Sequence, residues 1–156
     1  MIVLPTGPEN ALALLAVANY HTCAPVNTSC TSSELRDDAE RLNVKAVVTT
    51  KDAEGRLELK SLHEELGCDI IYIHPLPSGP AGLFDMSPMD DIDLAVDEEI
   101  RKPTRLHQLY DQSLILHTSG TSGKKKVVPY TLRSLIVGTW AVVQSWDLQP
   151  SDVNSE

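Results

Sequence analysis

Apolar runs and amphipathic stretches alternate along the first half of the chain. The apolar runs have the length and β-branched content of strands, at residues 1–4, 45–50 and 69–74. The stretches between them have the composition and spacing of helices, at residues 11–18, 31–43 and 57–66. Helices that connect strands imply right-handed crossovers. The pattern over residues 1–74 therefore predicts an α/β fold with a parallel or mixed sheet and crossover helices.

The first predicted helix has several consistent signals at its start. Thr6 or Gly7 can cap it, Pro8 suits the first helical position, and Glu9 complements the positive end of the helix dipole. Because residues 11–18 are apolar almost all round, we expect this helix to be buried on most sides.

The second predicted helix begins with a capping box. Thr31 and Glu34 have the spacing at which each side chain bonds the backbone N–H of the other residue. The charged residues that follow are expected to point outward, namely Arg36, Asp37, Asp38, Glu40 and Arg41.

Residues 75–112 have a different composition, because proline and glycine interrupt regular structure there. Between Lys60 and Arg101 the chain has ten acidic residues and no Lys or Arg. The acidic cluster at residues 90–93 lacks the glycine and the distal glutamate of an EF-hand calcium loop. We therefore predict an acidic, proline-rich, solvated loop and connector.

Residues 113–146 predict a strand, a loop, a brief second strand and a helix. The first strand covers residues 113–117, the second contains Val127 and Val128, and the helix runs from Thr131 to about Trp146. Trp140 and Trp146 are expected to anchor a core rather than to contact a ligand.

The composition fits a soluble globular protein, since the 156 residues are 42% hydrophobic and 22% charged. The net charge of −9 and the aromatic content of 4% argue against binding to nucleic acid or to an anionic membrane surface. No Lys or Arg precedes Arg36, and Pro5, Gly7 and Pro8 interrupt the apolar N-terminus. We therefore expect neither a signal peptide nor a membrane span, and an intracellular, cytoplasmic location.

The cysteines Cys23, Cys30 and Cys68 are expected to be small buried thiols. An odd number cannot pair fully within one chain, and their spacing contains no C-x-x-C motif. The histidines are scattered, so no metal site is predicted, and His117 is expected to be structural rather than a ligand contact.

The segment that follows the predicted strand at residues 113–117 has the composition of a phosphate-binding loop. It reads Thr118-Ser119-Gly120-Thr121-Ser122-Gly123-Lys124-Lys125-Lys126. The glycines allow several backbone N–H groups to turn inward, and the small hydroxyl residues add donors without bulk. Residues 112–146 include four basic residues and no acidic one, so this part of an acidic chain is locally positive. The alternative is a Ser/Thr/Gly linker with a basic tail.

Two common phosphate motifs do not fit this segment. A P-loop would need glycine at Thr118 and Ser or Thr at Lys125. The glycine spacing also differs from the dinucleotide motif G-x-G-x-x-G.

Residues 116–126 resemble the signature loop of the adenylate-forming enzymes, which include acyl-CoA synthetases, luciferases and nonribosomal-peptide adenylation domains. The family pattern is T-S-G-[ST]-[TS]-G-x-P-K-G. Here Lys125 stands where proline is usual and Val127 where glycine is usual. Residues 4–9, 24–35 and 45–49 are similar to the family's N-G-P-E, P-L-N-P…S-x-E-L and KALVT-like segments.

The resemblance implies that residues 1–156 are part of the large N-terminal domain of an AMP-dependent synthetase/ligase. Such enzymes use ATP and Mg²⁺ to join a small-molecule carboxylic acid to AMP, release pyrophosphate, and commonly pass the acyl group to CoA or a carrier thiol. Carried over by position, the residues that bind the ATP phosphates are Thr118, Ser119, Gly120, Thr121, Ser122, Gly123 and Lys126.

The resemblance further implies an N-terminal fragment. The family's later segments, which include its acid-binding elements and its catalytic lysine, have no match in this sequence. No catalytic residue is therefore assigned, and we expect this chain alone to be inactive. Two alternatives remain: a non-catalytic nucleotide- or phosphate-binding module from a truncated chain, and an interaction or folding piece that exposes half of a core.

Overall fold

The computed structural model describes residues 1–90, 105–118 and 126–152. One sheet has the strand order β1 (Ile2–Val3), β2 (Ala46–Thr49), β3 (Asp69–Pro75) and β4 (Phe84–Pro88). Its first three strands are parallel, whereas β4 runs antiparallel to β3. An antiparallel pair follows, formed by β5 (Gln112–Thr118) and β6 (Lys126–Thr131). The predicted α/β fold with a mixed sheet is confirmed.

The α-helices of the described residues are α1 (Pro8–Tyr20), α2 (Ser32–Leu42), α3 (Leu59–Leu66) and α4 (Leu132–Ser145). Helix α1 has Gly7 as its N-cap and Pro8 in its first turn, as the sequence predicts. The capping box of α2 is also present. Thr31 Oγ1 accepts a hydrogen bond from Glu34 N at 3.2 Å, and Thr31 N donates to Glu34 Oε2 at 3.0 Å.

The segment after α1 connects the two sheets. Cys23 N donates to Ser113 O at 2.8 Å, and Ile115 N donates to Cys23 O at 2.8 Å. On the other side of the segment, Ile2 N donates to Ala24 O at 3.0 Å. Both bridges are parallel. Strand β5 therefore runs in the same direction as β1, β2 and β3, and its carboxyl end lies at the same edge of the sheet as theirs.

Buried side chains form two clusters, and alternation along the strands assigns them to opposite faces of the sheet. The α2-side cluster includes Leu35, Leu59, Tyr72 and Ile115. The α1-side cluster includes Ile2, Ala13, Cys23, Ile73 and Leu114, with Leu135 of α4 packed against it. Helices α2 and α3 therefore cover one face, and α1 and α4 lie against the other.

The α1-side layer is more exposed than the sequence predicts. In α1 only Ala13 and Ala18 are buried, and Leu12 and Leu15 are 48% and 60% exposed. Trp140 and Trp146 are 63% and 73% exposed, so the prediction that they anchor a core is wrong for this chain. The physical reason is that no described element packs on the outer apolar faces of α1 and α4.

The prediction for Asp38 is also wrong. This side chain does not point outward into solvent, since the residue is only 5% exposed. Asp38 lies three positions after Leu35 and one before Ala39, and both of these are buried on the same helix. The apolar stripe of α2 therefore carries the carboxylate inward.

The predicted loop at residues 75–112 contains a strand, β4, that the sequence does not predict. Strand β4 pairs with β3, with Tyr72 opposite Ser87 and Pro75 opposite Phe84. Edge pairing tolerates the prolines of this stretch. Asp90 is exposed, and the rest of the acidic cluster lies outside the described residues.

The three cysteines are buried thiols, as predicted. Within residues 1–90, 105–118 and 126–152, no helix has the length and hydropathy needed to cross a bilayer.

Candidate phosphate-binding site

Strands β5 and β6 hold the two ends of the glycine-rich segment side by side. Thr118 ends β5 and is paired with Lys126, which begins β6. The pairing continues with His117 opposite Val127 and Leu116 opposite Val128. Because directly opposite residues of an antiparallel ladder have Cα atoms about 4.5–5.5 Å apart, residues 119–125 connect two fixed and adjacent ends.

Two of the predicted phosphate-binding residues, Thr118 and Lys126, are described, and both are exposed. The others, Ser119, Gly120, Thr121, Ser122 and Gly123, lie outside the described residues. The structure therefore brings the first and last members of the predicted set together, and the set as a whole stays a prediction.

Alternation along β5 and β6 explains which side chains anchor the hairpin. Ile115 and Val127 pack on the α2-side cluster, whereas Leu114, Leu116 and Tyr130 pack on the α1-side cluster. Apolar contacts therefore hold both faces of the β5–β6 ladder close to Thr118 and Lys126.

Thr118 and Lys126 lie at the edge where the parallel strands end. The chain leaves β1 at this edge and turns through Thr6 and Gly7 into the N-terminus of α1. A cavity of about 380 Å³ beside this turn is lined by Thr6, Gly7, Pro8, Asn10, Ala11 and Leu14. Ligands of open α/β sheets bind at the carboxyl edge of the strands, so the position of the hairpin suits a binding site.

A buried carboxylate lies next to His117, the penultimate residue of β5. Asp38 Oδ1 accepts a hydrogen bond from Arg41 Nη2 at 2.6 Å and lies 3.6 Å from His117 Nε2. The His117 side chain is 11% exposed and the Asp38 side chain 7%. No role near the site is predicted for Asp38 from the sequence, although the helical spacing places it on the same stripe of α2 as Leu35.

A second cavity, of about 330 Å³, lies against β3 and β4 and is lined mainly by apolar side chains. Its lining includes Ile70, Ile71, Met86 and Met89, with His63 and Asp90 at its polar side. It shares no residue with the β5–β6 hairpin, so the cavity and the predicted phosphate site are separate features.

The profile of the AMP-binding enzyme family matches residues 1–154. The chain belongs to this family. The family resemblance read from the signature loop and its neighbouring segments is thereby confirmed, and so is the assignment of the fold.

Several solved structures share this fold. ATP-bound MatB from Rhodopseudomonas palustris is 22% identical, with a TM-score of 0.70 over 97% of this chain. The acyl-CoA synthetase of Brucella canis is also 22% identical, with a TM-score of 0.64 over 97% of this chain. The o-succinylbenzoate CoA synthetase MenE from Bacillus subtilis, in complex with the acyl-adenylate intermediate OSB-AMP, is 18% identical, with a TM-score of 0.62 over 97% of this chain.

The chain spans only part of the length of each of these proteins. The matched region is 28% of the MatB chain, 26% of the Brucella canis chain and 34% of the MenE chain. The similarity therefore concerns the part of the family fold that contains the β5–β6 hairpin.

Proposed function

We propose that this chain is the ATP-phosphate-binding part of a carboxylate-activating ligase. In the full reaction a carboxylate oxygen attacks the α-phosphorus of ATP, the bond between the α- and β-phosphates breaks, and pyrophosphate leaves. The products are an acyl adenylate and pyrophosphate. A thiol of CoA or of a carrier then attacks the acyl carbon and releases AMP.

The observation that carries the proposal is the pairing of Thr118 with Lys126 at the carboxyl edge of the sheet. It places a hydroxyl-bearing residue and a cation-bearing residue at the two ends of a segment rich in glycine, serine and threonine. Backbone N–H groups, hydroxyls and an ammonium group are the donors that stabilise the charge that develops on leaving pyrophosphate.

We assign to this role Thr118, Ser119, Gly120, Thr121, Ser122, Gly123 and Lys126. Among residues 1–90, 105–118 and 126–152, no group of three His, Cys, Asp or Glu side chains is arranged to hold a metal ion. Mg²⁺ would enter with the nucleotide, because this ion keeps several waters and binds mainly through substrate phosphates and one or two carboxylates.

The test is titration of the chain with Mg-ATP and with pyrophosphate, for the wild type, Lys126→Ala and Lys45→Ala. Lys45 is a matched control because it is an exposed lysine that precedes β2, at the opposite edge of the sheet. Lys126→Ala is expected to bind Mg-ATP and pyrophosphate about tenfold more weakly, because it loses a charge-assisted hydrogen bond. Lys45→Ala should bind like the wild type. Equal, weak binding by all three proteins would refute the assignment of the loop.

The second candidate is a phosphate-binding module without catalysis. It is supported by the described residues, because Thr118 and Lys126 are brought together to bind phosphate while no catalytic role is assigned to any residue. Exchange of labelled pyrophosphate into ATP, measured with a panel of carboxylic acids, separates the two candidates. Exchange by this chain alone shows adenylate formation, whereas binding without exchange supports the module.

A further inference from the structure

Asp38 is the one residue with a charged side chain that is buried in the part of the chain that the structure describes. The other buried polar residues there are Thr49 and Ser113. Both are neutral and donate hydrogen bonds to backbone carbonyls, Thr49 Oγ1 to Val3 O of β1 at 2.9 Å and Ser113 Oγ to Ala18 O of α1. Asp38 instead presents a carboxylate to the end of β5.

A carboxylate at this position needs a reason beyond stability. Removing a charge from water costs several kcal/mol, and well-packed apolar residues of similar volume are often at least as stabilising as a buried ion pair. The neighbours of Asp38 on the α2 stripe, Leu35 and Ala39, are apolar and buried in the α2-side cluster. A charged group among these apolar side chains favours the one arrangement in which its polar partners face it.

Two described partners of Asp38 come from different elements. Arg41 lies one turn further along α2, and its Nη2 atom is 2.6 Å from Asp38 Oδ1. His117 lies on β5, and its Nε2 atom is 3.6 Å from the same oxygen. The Asp38–His117 contact therefore links α2 to the last strand residue before Thr118.

The strand pairing extends this link to the other end of the loop. His117 is opposite Val127, and the next pair is Thr118 with Lys126. A change in the position of His117 is therefore transmitted directly to both proposed phosphate-binding ends.

We propose that Asp38 is a positioning residue for Thr118 and Lys126 and acts through His117. The proposal rests on the proposed function in one respect, namely that these two residues bind phosphate. The contact itself sets the position of Thr118 and Lys126 in the ligand-free chain, and this effect is measurable without ligand.

The first experiment is hydrogen exchange of the ligand-free chain, monitored at residues 116–118 and 126–128. Asp38→Asn removes the charge and keeps the shape of the side chain. Asp37→Asn is the matched control, because it makes the same change at the exposed preceding residue of α2. We expect Asp38→Asn to raise the exchange rate about fivefold at these paired ends, because contacting residues are energetically coupled. Asp37→Asn should leave the exchange rate unchanged.

Loss of global stability must be distinguished from loss of positioning. Leu66→Ala removes a half-buried side chain from the α2-side cluster, far along the chain from β5, and should raise exchange broadly. A broad rise of the same kind in Asp38→Asn, or no rise at residues 116–118 and 126–128, would overturn the proposal. If Asp38→Asn does not fold, His117→Gln tests the same contact from the strand side, with the same outcomes.

The second experiment is pyrophosphate titration of Asp38→Asn, His117→Gln and the double variant. We expect each single variant to weaken binding about fivefold and the double variant to be no weaker, because both act through one contact. Additive losses, or wild-type affinity in a folded Asp38→Asn, would contradict the positioning role. If the wild type binds neither pyrophosphate nor ATP, the proposed function fails, and the exchange experiment still decides the role of Asp38.

Discussion

Thr118 and Lys126 face each other across the β5–β6 ladder. The separation of the loop ends is therefore set by strand pairing and not by the loop. The pairing also fixes where a cation stands relative to the edge of the sheet.

The charge at Lys126 is expected to matter more than the shape of its side chain. Lys126→Arg should keep pyrophosphate affinity within about threefold of the wild type, whereas Lys126→Gln should lose about tenfold, because only the charged hydrogen bond is strong. Calorimetric titration at constant salt measures both values. Equal affinities for the Arg and Gln variants would show that the charge of Lys126 is not used.

The capping box of α2 predicts a stability effect at Thr31. Thr31→Ala leaves the N–H of Glu34 without its capping acceptor and should lower the free energy of unfolding by about 1 kcal/mol. Urea unfolding measures the difference. Ser33→Ala, at an exposed position in the same helical turn, is the control and should change the stability less. The reverse order would contradict the capping assignment.

The Cys23 thiol is expected to be unreactive in the folded chain. It is fully buried, and burial raises its pKa to about 11. At mildly alkaline pH only a very small fraction is therefore thiolate, which is the reactive form. A colourimetric thiol reagent should label Cys23 slowly in the native chain and all three cysteines rapidly after unfolding. Rapid labelling of native Cys23, located by mass spectrometry, would contradict the described burial.

The exposed apolar face of α4 predicts self-association. Ile136, Val137 and Trp140 are 50%, 54% and 63% exposed on one helix. We expect the apparent mass in size-exclusion chromatography to rise with protein concentration, because exposed apolar patches of this kind associate. Trp140→Ser should reduce the rise, and Thr139→Ser on the same helix is the control. A concentration-independent monomer would remove the interaction-piece alternative.

Glu65 predicts part of the acid sensitivity of the fold. Hydrogen bonds from Ser61 and Arg36 lower the pKa of Glu65 below its ordinary value of 4.5. A lowered folded-state pKa contributes stability above the unfolded value, and this contribution is lost as the pH falls through the folded value. Glu65→Gln should therefore flatten the decline of stability below about pH 4.5. Thermal unfolding across this range tests it, and an unchanged decline in both Glu65→Gln and Ser61→Ala would contradict it.

Local signals in the sequence were sufficient for most of the fold. Gly7 and Pro8 mark the start of α1, Thr31 and Glu34 form the predicted capping box, and the apolar runs at residues 45–50 and 69–74 match β2 and β3. These signals act between residues close in the chain, so they are readable without tertiary contacts. Strand β4 was missed, since its prolines are typical of loops and only pairing with β3 makes it a strand.

The chemistry of the candidate site was only partly readable. The glycine, hydroxyl and lysine composition of residues 118–126 predicted phosphate binding, and the order of the segments predicted the family, which the match over residues 1–154 confirms. The exposure of Trp140 was not readable, because hydrophobicity shows that a residue can be buried but not whether another element covers it.

The succession of strands and helices and the composition of the loop can be predicted from the sequence, because both depend on neighbouring residues. The pairing of Thr118 with Lys126 and the contact of Asp38 with His117 arise only when distant segments pack together. Asp38 and His117 are 79 positions apart in the sequence, so no local rule specifies their contact. It arises because the α2 stripe and one face of β5 pack into the same cluster.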